Sequence, residues 1–568
     1  MERLAQAFHV ARSAKGGKNR SLRASGVVRS PSRNADATEF RDEARIEIPI
    51  AIRTAGTSRA TVGASASGLY LAAVAARVSL LGTGDYWLTR FLFQRGLAIL
   101  YLLAFLVAAR QFRPLVGEDG LLPLSEYAER AAFAERPSLF HLYPDDRVVG
   151  VAAWTGVGLA ALAVTGVPNV LGAYAVPASM ALWAAMWVLY LSFVNAGRVF
   201  YGYGWESMLL ETGFLAIFLG AGASAPPEII VWLLRWLLFR NMFGAGLIKL
   251  RGDDCWRDLT AMDDHYETQP MPNPGSWFAH HLPARFHRVE VLGNHVVELA
   301  VPFLYFAPQP YAALGGALTI GFQLWLMGTG NFAWLNALTI VQAVATLDDG
   351  VLAPVLPVGV PTAAPTPAYQ TYAAFVVAAA ILVLSVRPAR NLLSESQTMN
   401  RGFDPLHLVN TYGAFGSITS TRYQLVVEGT READPDEGDW TAYGWKGQPD
   451  AVGERPMQWA PYHLRLDWQL WFAAMRPRPG RRQRWLYRLL DRLLEGDPAT
   501  RSLLGDDPFG DDPPERVRVV RYRYRYTTPA ERAETSDWWR RERVGTYVSA
   551  SDAGDLASRR DRRRIDRY

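Results

Sequence analysis

Cysteine is almost absent from this chain, since Cys255 is the only one among 568 residues. A single cysteine cannot form an internal disulfide, and no CxxC pair is present for thiol exchange. The sequence therefore excludes a disulfide oxidoreductase that works alone. We expect Cys255 to be a small buried side chain, as free cysteines commonly are.

Signatures of common enzymes and of nucleic-acid-binding proteins are also absent. The chain has no GxSxG elbow, no GxxxxGK[ST] phosphate loop and no kinase or dinucleotide pattern. Its net charge of +5 comes from arginines concentrated at the two ends, without a zinc-finger, basic-zipper or RNA-binding signature. We therefore expect no nucleic-acid partner, no cofactor and no recognisable catalytic centre.

The residues that are present favour a membrane protein with a soluble part. Half of the chain is hydrophobic, 20% is charged and 19 residues are tryptophan. This mixture is typical of membrane spans joined to soluble segments, and the length exceeds what one core usually holds. We predict an α-helical multi-span membrane bundle in the lipid bilayer with a C-terminal mixed, β-rich soluble domain.

Composition divides the chain into four parts. We predict a disordered basic tail at 1–86, a multi-span region at 87–390, a soluble domain at 403–548 and an Arg-rich tail at 549–568. The apolar segment 68–82 contains Arg77 and is too short for a span. The proline-rich segment 353–369 predicts an extended linker.

Apolar runs predict up to nine membrane helices, and an odd number places the two chain ends on opposite sides. Several runs are shorter than the roughly 20 residues needed to cross the hydrocarbon core, so we expect tilted, re-entrant or paired buried helices among them. The candidates are 91–109, 148–166, 171–194, 207–222, 229–250, 290–307, 311–327, 331–346 and 371–387.

Basic residues before the first span predict the orientation. Arg59, Arg77 and Arg90 precede or begin it, and the positive-inside rule keeps such a flank cytoplasmic. The soluble domain then lies on the lumenal or extracytoplasmic side. With nine spans, the loops 110–147, 195–206 and 251–289 face the same side as that domain.

Within the soluble domain, two segments alternate as strands do and one has a helical pattern. The segments 422–429 and 516–527 predict strands, and the second would present aromatic residues on one face and arginines on the other. The segment 481–496 predicts a helix.

Residues 249–287 form the densest polar block and follow directly on an apolar helix. We expect Arg–Asp pairs here, with Trp256 at headgroup level and Lys249 extending to the interface. A metal site is not expected, because no fixed ligand spacing is present. The candidate residues are Lys249, Arg251, Asp253, Trp256, Arg257, Asp258, His265, Tyr266 and Glu267.

The segment 269–283 within this block carries four prolines, which favour an extended loop over a helix. Exposed backbone near Met271, Trp277 and Phe278 could bind another chain by main-chain hydrogen bonds. A rigid loop packed on the bundle is the alternative.

Two glutamates begin the helix at 201–214. Glu206 in the first turn is favoured by the helix dipole. Glu211 lies deeper and needs a partner, for which we predict Arg235 or Arg240 of the next span. A proton relay is the alternative to this structural role.

Two motifs of the soluble domain complete the candidate set. In 410–419, which contains Asn410, Tyr412 and Phe415, we expect Gly413 and Gly416 to permit tight turns or positive φ angles. In 461–474, alternation gives way to helical spacing, which indicates a polar cluster followed by a docking helix. Its candidates are His463, Arg465, Asp467 and Trp468.

Several of these stretches together resemble the lipase maturation factor family. The similar stretches are GAGLIKLRGDDCWRDLTAMDDHYETQPMPNP, YGYGWESMLLETGFLAIFL, LVNTYGAFGSIT and PYHLRLDWQLWFAA. The resemblance implies a non-enzymatic membrane protein that helps secreted lipases reach their active form. It also implies that the C-terminal domain binds the client, which we assign to 410–419 and 461–474.

The resemblance leaves compartment and mechanism open. A eukaryotic member would lie in the endoplasmic reticulum membrane, whereas the scarcity of lysine and the Ala-, Arg- and Gly-rich composition indicate a prokaryote and its plasma membrane. The bundle is also distantly similar to vitamin K-dependent carboxylases. For such an enzyme, Lys249, His265 or Glu267 would be the acid–base candidates.

Overall fold

The computed structural model describes residues 86–362, 364–480 and 483–552. The predicted tails and the apolar segment 68–82 therefore lie outside the described residues, apart from a few residues at their inner ends. The membrane-domain helices, in chain order, are α1 Trp87–Val116, α2 Asp146–Thr165, α3 Ala175–Ala196, α4 Gly204–Ala216, α5 Glu228–Arg251, α6 Ala284–His295, α7 Tyr311–Thr329, α8 Leu335–Ala343 and α9 Ala368–Leu384.

Shorter helical segments extend these helices or lie in the loops between them. A π turn, Val296–Ala300, and a 3-10 helix, Val301–Phe306, continue α6, while Val344–Thr346 continues α8 and Val386–Leu393 follows α9. The loops contain the short α-helices Leu124–Arg130, Asp254–Arg257, Ala261–Thr268, Ser276–His280 and Asp349–Leu352.

Local sequence signals set the helix ends, as α2 shows. The Asp145 carboxylate accepts hydrogen bonds from the backbone N–H groups of Arg147 (2.6 Å) and Val148 (3.3 Å), which caps the first turn. Gly166 ends the helix in the left-handed conformation with φ 75°, which glycine adopts without steric penalty.

One end of the bundle contacts the C-terminal domain, and we call it the domain side. Gln111 Nε2 near the end of α1 donates to the His463 carbonyl (2.8 Å), and Asn331 Nδ2 before α8 donates to the Met457 carbonyl (2.8 Å). Four more hydrogen-bonded pairs place the ends of α3 and α5, the loop after α5 and the start of α4 there. These pairs are Asn195–Pro405, Asp253–Gly416, Asn273–Gln458 and Glu206–Arg465.

The opposite helix ends contact one another, and we call this end the far side. The Trp87 N–H at the start of α1 donates to Asp349 (2.9 Å), beyond the end of α8. Gln370 at the start of α9 donates to the Phe218 carbonyl (3.0 Å), beyond the end of α4. Within the described residues, nine helices therefore run between the two sides.

Seven of these nine helices, with their extensions, are long and apolar enough to cross a membrane, again within the described residues. Two of the shorter candidates, 207–222 and 331–346, correspond to the helices α4 and α8, which have 13 and nine residues and are too short for a full span. Both are enclosed by other helices, and 12 of the 13 residues of α4 are buried. A helix shielded from lipid by protein need not match the hydrocarbon thickness.

The predicted membrane bundle with a mixed C-terminal domain is confirmed. The main elements of the domain are β1 Arg422–Thr430, β2 Thr441–Ala442, α10 Arg465–Ala474, α11 Arg484–Leu494, β3 Arg516–Tyr526 and β4 Trp539–Ser551. The four strands form an antiparallel sheet with the order β2-β1-β3-β4. The helices α10 and α11 pack against this sheet, and short helices lie at Pro498–Arg501 and Pro529–Thr535.

The strands and the linker follow the sequence pattern. In β3, Tyr524 and Tyr526 are buried while Arg523 and Arg525 are exposed, as the alternation predicts. The described residues of 353–367 form no regular helix or strand, as expected of an extended linker. Buried apolar residues of the bundle and of the domain belong to one core cluster, in which the rings of Trp205 and Trp468 lie 4.9 Å apart.

Candidate functional site: a buried polar seam

The bundle and the C-terminal domain meet through buried charged groups, and α4 carries the first of them. Glu206 is fully buried in the first turn of α4. Its carboxylate accepts hydrogen bonds from the Tyr190 hydroxyl (2.5 Å) and from Arg465 Nη1 (2.8 Å). The helix dipole favours Glu206, as expected, but its counterion comes from the C-terminal domain.

Arg465 is held in place by neighbours from both parts of the chain. Its backbone N–H donates a hydrogen bond to Gln111 Oε1 of α1 (3.0 Å). Its guanidinium donates to the Phe200 carbonyl (2.8 Å) and lies 3.3 Å from the centroid of the Tyr201 ring. Such a guanidinium is fixed in orientation by planar contacts as well as by charge.

His463 lies beside this pair, with Nδ1 3.4 Å from a Glu206 oxygen. Burial, and then the positive charge of Arg465, lower the pKa of His463 to about 4. The imidazole is therefore neutral at physiological pH. The Glu206 carboxylate is thus balanced by one formal charge, that of Arg465.

Glu211, one and a half turns further along α4, forms the second centre. It is paired with Arg240 of α5, one of the two predicted partners. The Tyr412 hydroxyl (2.5 Å), the Asn410 N–H (3.1 Å) and Asn410 Nδ2 (3.0 Å) donate to the same carboxylate. Arg240 in turn donates to the Asn410 carbonyl (2.8 Å), so both partners of the ion pair are bound by the motif 410–419.

Arg235, the other predicted partner of Glu211, does not pair with it. Its guanidinium donates to the carbonyls of Ala345 (2.8 Å) and Tyr305 (3.3 Å) and lies 4.8 Å from the Trp232 ring centroid. Arg235 lies nearer the start of α5 than Arg240 does, toward the far side. Carbonyl oxygens and an aromatic face replace a carboxylate there.

A third contact between the bundle and the domain joins β1 to the segment 269–283. Buried Arg422 donates to the Gln269 carbonyl (2.5 Å) and to Gln448 Oε1 (3.0 Å). Nearby, the Tyr526 N–H of β3 donates to Glu267 (2.8 Å), and burial raises the pKa of this glutamate. We use the term seam for Glu206, Glu211, Arg240, Asn410, Tyr412, Arg422, His463 and Arg465.

The segment 269–283 is packed against its surroundings, which matches the second of the two alternatives. Met271 and Trp277 are buried, whereas Phe278 is exposed. The prediction that this segment is extended throughout is wrong, because Ser276–His280 is helical. The helix fits between Pro274 and Pro283, where no proline interrupts it.

Lys249 and Trp256 are buried within the protein, so the prediction that the Lys249 side chain extends to the interface is wrong. Lys249 Nζ donates to Glu298 (2.6 Å) and Asn294 (2.9 Å), and Asn294 Nδ2 donates to the other Glu298 oxygen (2.8 Å). The indole N–H of Trp256 donates to the Phe415 carbonyl (2.8 Å). A lysine with two partners in a closed triad does not need to extend into water.

The charged residues of the polar block from Arg251 to Asp258 are partly or fully exposed. Asp253 accepts from the Ile418 N–H (3.1 Å), and Arg251 donates to the Leu392 carbonyl (2.9 Å). Arg257 pairs with Asp254 at the surface, and Asp258 is exposed. The predicted Arg–Asp network is therefore reduced to a single exposed pair, because Asp253 bonds to backbone instead.

His265 and Tyr266 are buried on the helix Ala261–Thr268. Burial, and then the charge of Lys249, lower the pKa of His265 to about 4, so it is neutral. The Tyr266 hydroxyl donates to Glu290 of α6. Among the described residues, no group of three or more His, Cys, Asp or Glu side chains could hold a metal ion.

The backbone conformation of the motif 410–419 differs from the prediction. Phe415, not Gly413 or Gly416, has the positive φ angle, which is 53°. A glycine is required on the other side of this contact, at Gly252, because a Cβ there would lie only 1.8 Å from the Gly416 carbonyl oxygen. The two backbones touch there, and the Asp253 N–H donates to the same carbonyl (3.0 Å).

The motif 461–474 forms a polar turn followed by α10, as predicted. Asp467 accepts from the Gly447 N–H (2.7 Å), and burial raises the pKa of its carboxyl to about 6. Trp468 is buried against Trp205 and Tyr203 of the bundle, with ring centroids at 4.9 and 5.7 Å. The helix therefore packs on the membrane domain through its aromatic side chains.

Three residues of these centres were not among the sequence candidates. Glu298 was the one with a visible signal, since a carboxylate in the middle of the apolar segment 290–307 needs a buried partner. Tyr190 and Arg422 carry no such signal, because a tyrosine in a span and an arginine at a strand start are ordinary features of a sequence.

The charged groups of the seam compensate one another. Each of its carboxylates faces a cation and several hydrogen-bond donors, and all of these groups are buried. Such an arrangement specifies one relative position of bundle and domain, because separating them would leave charges uncompensated in a low-dielectric interior.

Comparisons with known proteins follow the same two-part division. The lipase maturation factor transmembrane domain matches residues 88–354, and the lipase maturation factor C-terminal domain matches residues 408–549. Lipase maturation factor 1 of Bos taurus is 42% identical over 520 residues, covering 84% of this chain and 92% of that protein. The protein of the same name from Homo sapiens is 42% identical over 508 residues, covering 82% and 88%.

A more distant relative has a similar extent. Lipase maturation factor 2 of Homo sapiens is 28% identical over 601 aligned residues, covering 82% of this chain and 83% of that protein. No solved structure matches the chain. None of these relatives supports the carboxylase alternative.

We expect the Glu206–Arg465 pair to behave as one energetic unit. Glu206→Gln or Arg465→Met alone should destabilise the protein by about 3–5 kcal/mol, because each leaves a buried charge without a partner. The double variant should lose clearly less than the sum of the two single losses. The measurement is the unfolding free energy of the detergent-solubilised full chain.

The matched control for this cycle is Arg492→Met, since Arg492 pairs with Asp119 and Glu495 at the surface. Its expected cost is below about 1 kcal/mol. Additive losses in the double variant would contradict the assignment of Glu206 and Arg465 as a coupled pair.

Proposed function

Because the chain belongs to the lipase maturation factor family, we propose that it is a membrane-embedded factor that helps secreted lipases, or similar exported clients, reach their active form. The carrying observation is the buried seam, which joins the C-terminal domain to the domain side of the bundle. A client would then bind to a rigid surface that has a fixed position relative to the membrane.

The seam residues support the client surface without forming it. The seam residues Asn410, Tyr412, His463 and Arg465 are buried, as is the neighbouring Trp468, so their side chains do not reach a client in this arrangement. They hold the domain in register with the loops of the bundle. A factor that binds the folding client reversibly favours its assembled form by differential affinity and needs no covalent step.

Exposed apolar side chains on the domain side are the client contacts that we propose. Phe278, in the segment 269–283, is 53% exposed, and Met457, in the C-terminal domain, is 58% exposed. Partly folded proteins expose apolar surface, and large apolar side chains contribute most to such weak contacts. These two residues are therefore the first to test.

Charge distribution bears on the orientation in two ways. Arginines precede the first span and also occur in it at Arg90 and Arg95, which favours a cytoplasmic far side. The loops of the domain side also contain arginines, including Arg130 and Arg198, which favours the reverse. Because the first helix usually dominates, we place the domain side in the endoplasmic reticulum lumen, or outside the plasma membrane of a prokaryote.

Glycosylation in a eukaryotic host tests the orientation. Glu432→Asn with Asp434→Thr creates an Asn-Ala-Thr acceptor in an exposed turn of the domain, and Val355→Asn with Pro357→Thr creates Asn-Leu-Thr on the far side. We expect a mobility shift only for the first variant, because acceptors are modified in the lumen. A shift only for the second variant would reverse the proposed orientation.

Lipase co-expression tests the function itself. In cells without their own maturation factor, the full chain should raise the activity of a secreted lipase per unit of lipase protein. Phe278→Ser with Met457→Ser should reduce that gain by several-fold to about tenfold, as loss of contact residues does. Val355→Ser is the control, since Val355 is 76% exposed on the far side. Equal loss in the control, or full gain in the double variant, would contradict the proposed surface.

The buried triad separates a maturation factor from the enzyme alternative. Lys249→Met alone should lower the amount of folded protein, because Glu298 keeps its charge without a partner. Lys249→Met with Glu298→Met removes both charges and should recover folding and lipase maturation. If Lys249 were an acid–base catalyst, the double variant would fold and still fail to mature the lipase.

A further inference from the structure

Four arginines on the domain side converge on a single carboxylate, away from the seam. Glu126 belongs to the short helix Leu124–Arg130 in the loop after α1. Its carboxylate oxygens lie 2.7 Å from a guanidinium nitrogen of Arg488, 3.5 Å from Arg130, 3.6 Å from Arg198 and 3.7 Å from Arg484. The cluster joins the first loop, the turn that follows α3, and α11 of the C-terminal domain.

The cluster carries more positive charge than Glu126 can balance. Arg130, Arg198 and Arg488 have no second carboxylate within ion-pair distance in the described part of the chain. Burial raises the pKa of Glu126, but the four guanidinium groups together outweigh that effect and lower it. Glu126 therefore stays ionised and still provides one negative charge for at least three positive ones.

One guanidinium donor in the cluster is buried and unused. Arg198 Nη1 makes no hydrogen bond, and the Glu126 oxygen at 3.6 Å is beyond hydrogen-bond distance. The backbone of Arg198 has a φ of 53°, a left-handed conformation that is uncommon for a residue other than glycine. The Glu126 oxygen that faces Arg198 Nη1 also makes no hydrogen bond, so a donor and an acceptor lie near each other in the cluster without a bond between them.

Other arginines on the same side are balanced differently. Arg113 faces Asp146 one to one at 3.3 Å, and Arg501 faces both Asp507 and Asp511. Like charges held together repel one another unless a counterion is present. Neither Arg113 nor Arg501 shares its carboxylates with another guanidinium group, whereas four guanidinium groups share Glu126.

The geometry points to a binding site for a phosphate group at Arg130, Arg198, Arg484 and Arg488. Guanidinium groups recognise phosphate oxygens by paired, charge-assisted hydrogen bonds, and several of them around one anion give affinity as well as orientation. Two sources supply this chemistry: the headgroup of a phospholipid, and free phosphate. The proposal does not depend on which client the protein assists.

The position of the cluster allows a lipid headgroup to reach it. Arg198 lies two residues beyond Ala196, the last residue of the membrane helix α3. The loop that carries Glu126 also exposes Phe133, Leu142 and Tyr143, apolar side chains typical of a surface close to lipid. A bound phosphate would connect α11 to the first loop and brace the C-terminal domain at a second place.

Thermal unfolding of the purified full chain tests the site. In detergent, inorganic phosphate should raise the unfolding midpoint more than chloride at equal ionic strength does. Arg130→Gln and Arg198→Gln should each weaken the phosphate effect by about tenfold, since each removes charge-assisted hydrogen bonds. Arg113→Gln is the matched control, because Arg113 lies on the same side and is paired with Asp146.

A second arm identifies the source of the phosphate. The chain is placed in nanodiscs of phosphatidylcholine with and without phosphatidylglycerol, and the retained lipids are counted by native mass spectrometry. Retention of phosphatidylglycerol that is lost in Arg130→Gln and Arg198→Gln supports a headgroup site. A response to inorganic phosphate alone, lost in the same variants, supports a soluble anion.

Three outcomes would overturn the proposal. The first is the absence of any effect of phosphate or phosphatidylglycerol on the full chain. The second is an equal effect in Arg130→Gln, Arg198→Gln and Arg113→Gln, which would show general charge screening. The third is stabilisation by polyglutamate without any response to phosphate, which would assign the cluster to an acidic polypeptide.

Discussion

Two carboxylates buried five residues apart on α4 are the constraint on which the rest of the arrangement depends. A charge inside a low-dielectric interior must be compensated, or the structure around it does not form. Glu206 and Glu211 satisfy this condition through Arg465 and Asn410 of the C-terminal region together with Arg240 of α5. The membrane domain is therefore incomplete without the C-terminal region, although the two parts differ in composition and fold.

The short helices follow from the same constraint. Because α4 and α8 are enclosed by longer helices, they bury polar groups that lipid would not tolerate. Gln342 of α8 donates to Thr212 of α4 (2.9 Å), and Asn241 of α5 donates to Thr339 of α8 (3.0 Å). Hydrogen bonds of this kind fix helix positions inside a bundle where apolar contacts alone discriminate little between arrangements.

Sequence reasoning succeeded where a signal is local and failed where it depends on distant pairing. Apolar runs located the helices, and a carboxylate inside such a run predicted the pairing of Glu211 with the next span. The partner of Glu206 was not predictable, because 259 residues separate it from Arg465. Composition likewise placed Lys249 and Trp256 at the interface. The residues next to them in sequence do not show that Lys249 bonds to Glu298 or that Trp256 bonds to the Phe415 carbonyl.

The wide separation of Glu206 from Arg465 along the chain has a consequence during synthesis. Helix α4 leaves the ribosome long before its counterion exists, and at 5–20 residues per second the interval is on the order of tens of seconds. Throughout that time Glu206 lacks the guanidinium group that pairs with it in the finished protein. The membrane domain therefore completes its packing only after the last third of the polypeptide has been made. A prematurely terminated product keeps Glu206 without its partner.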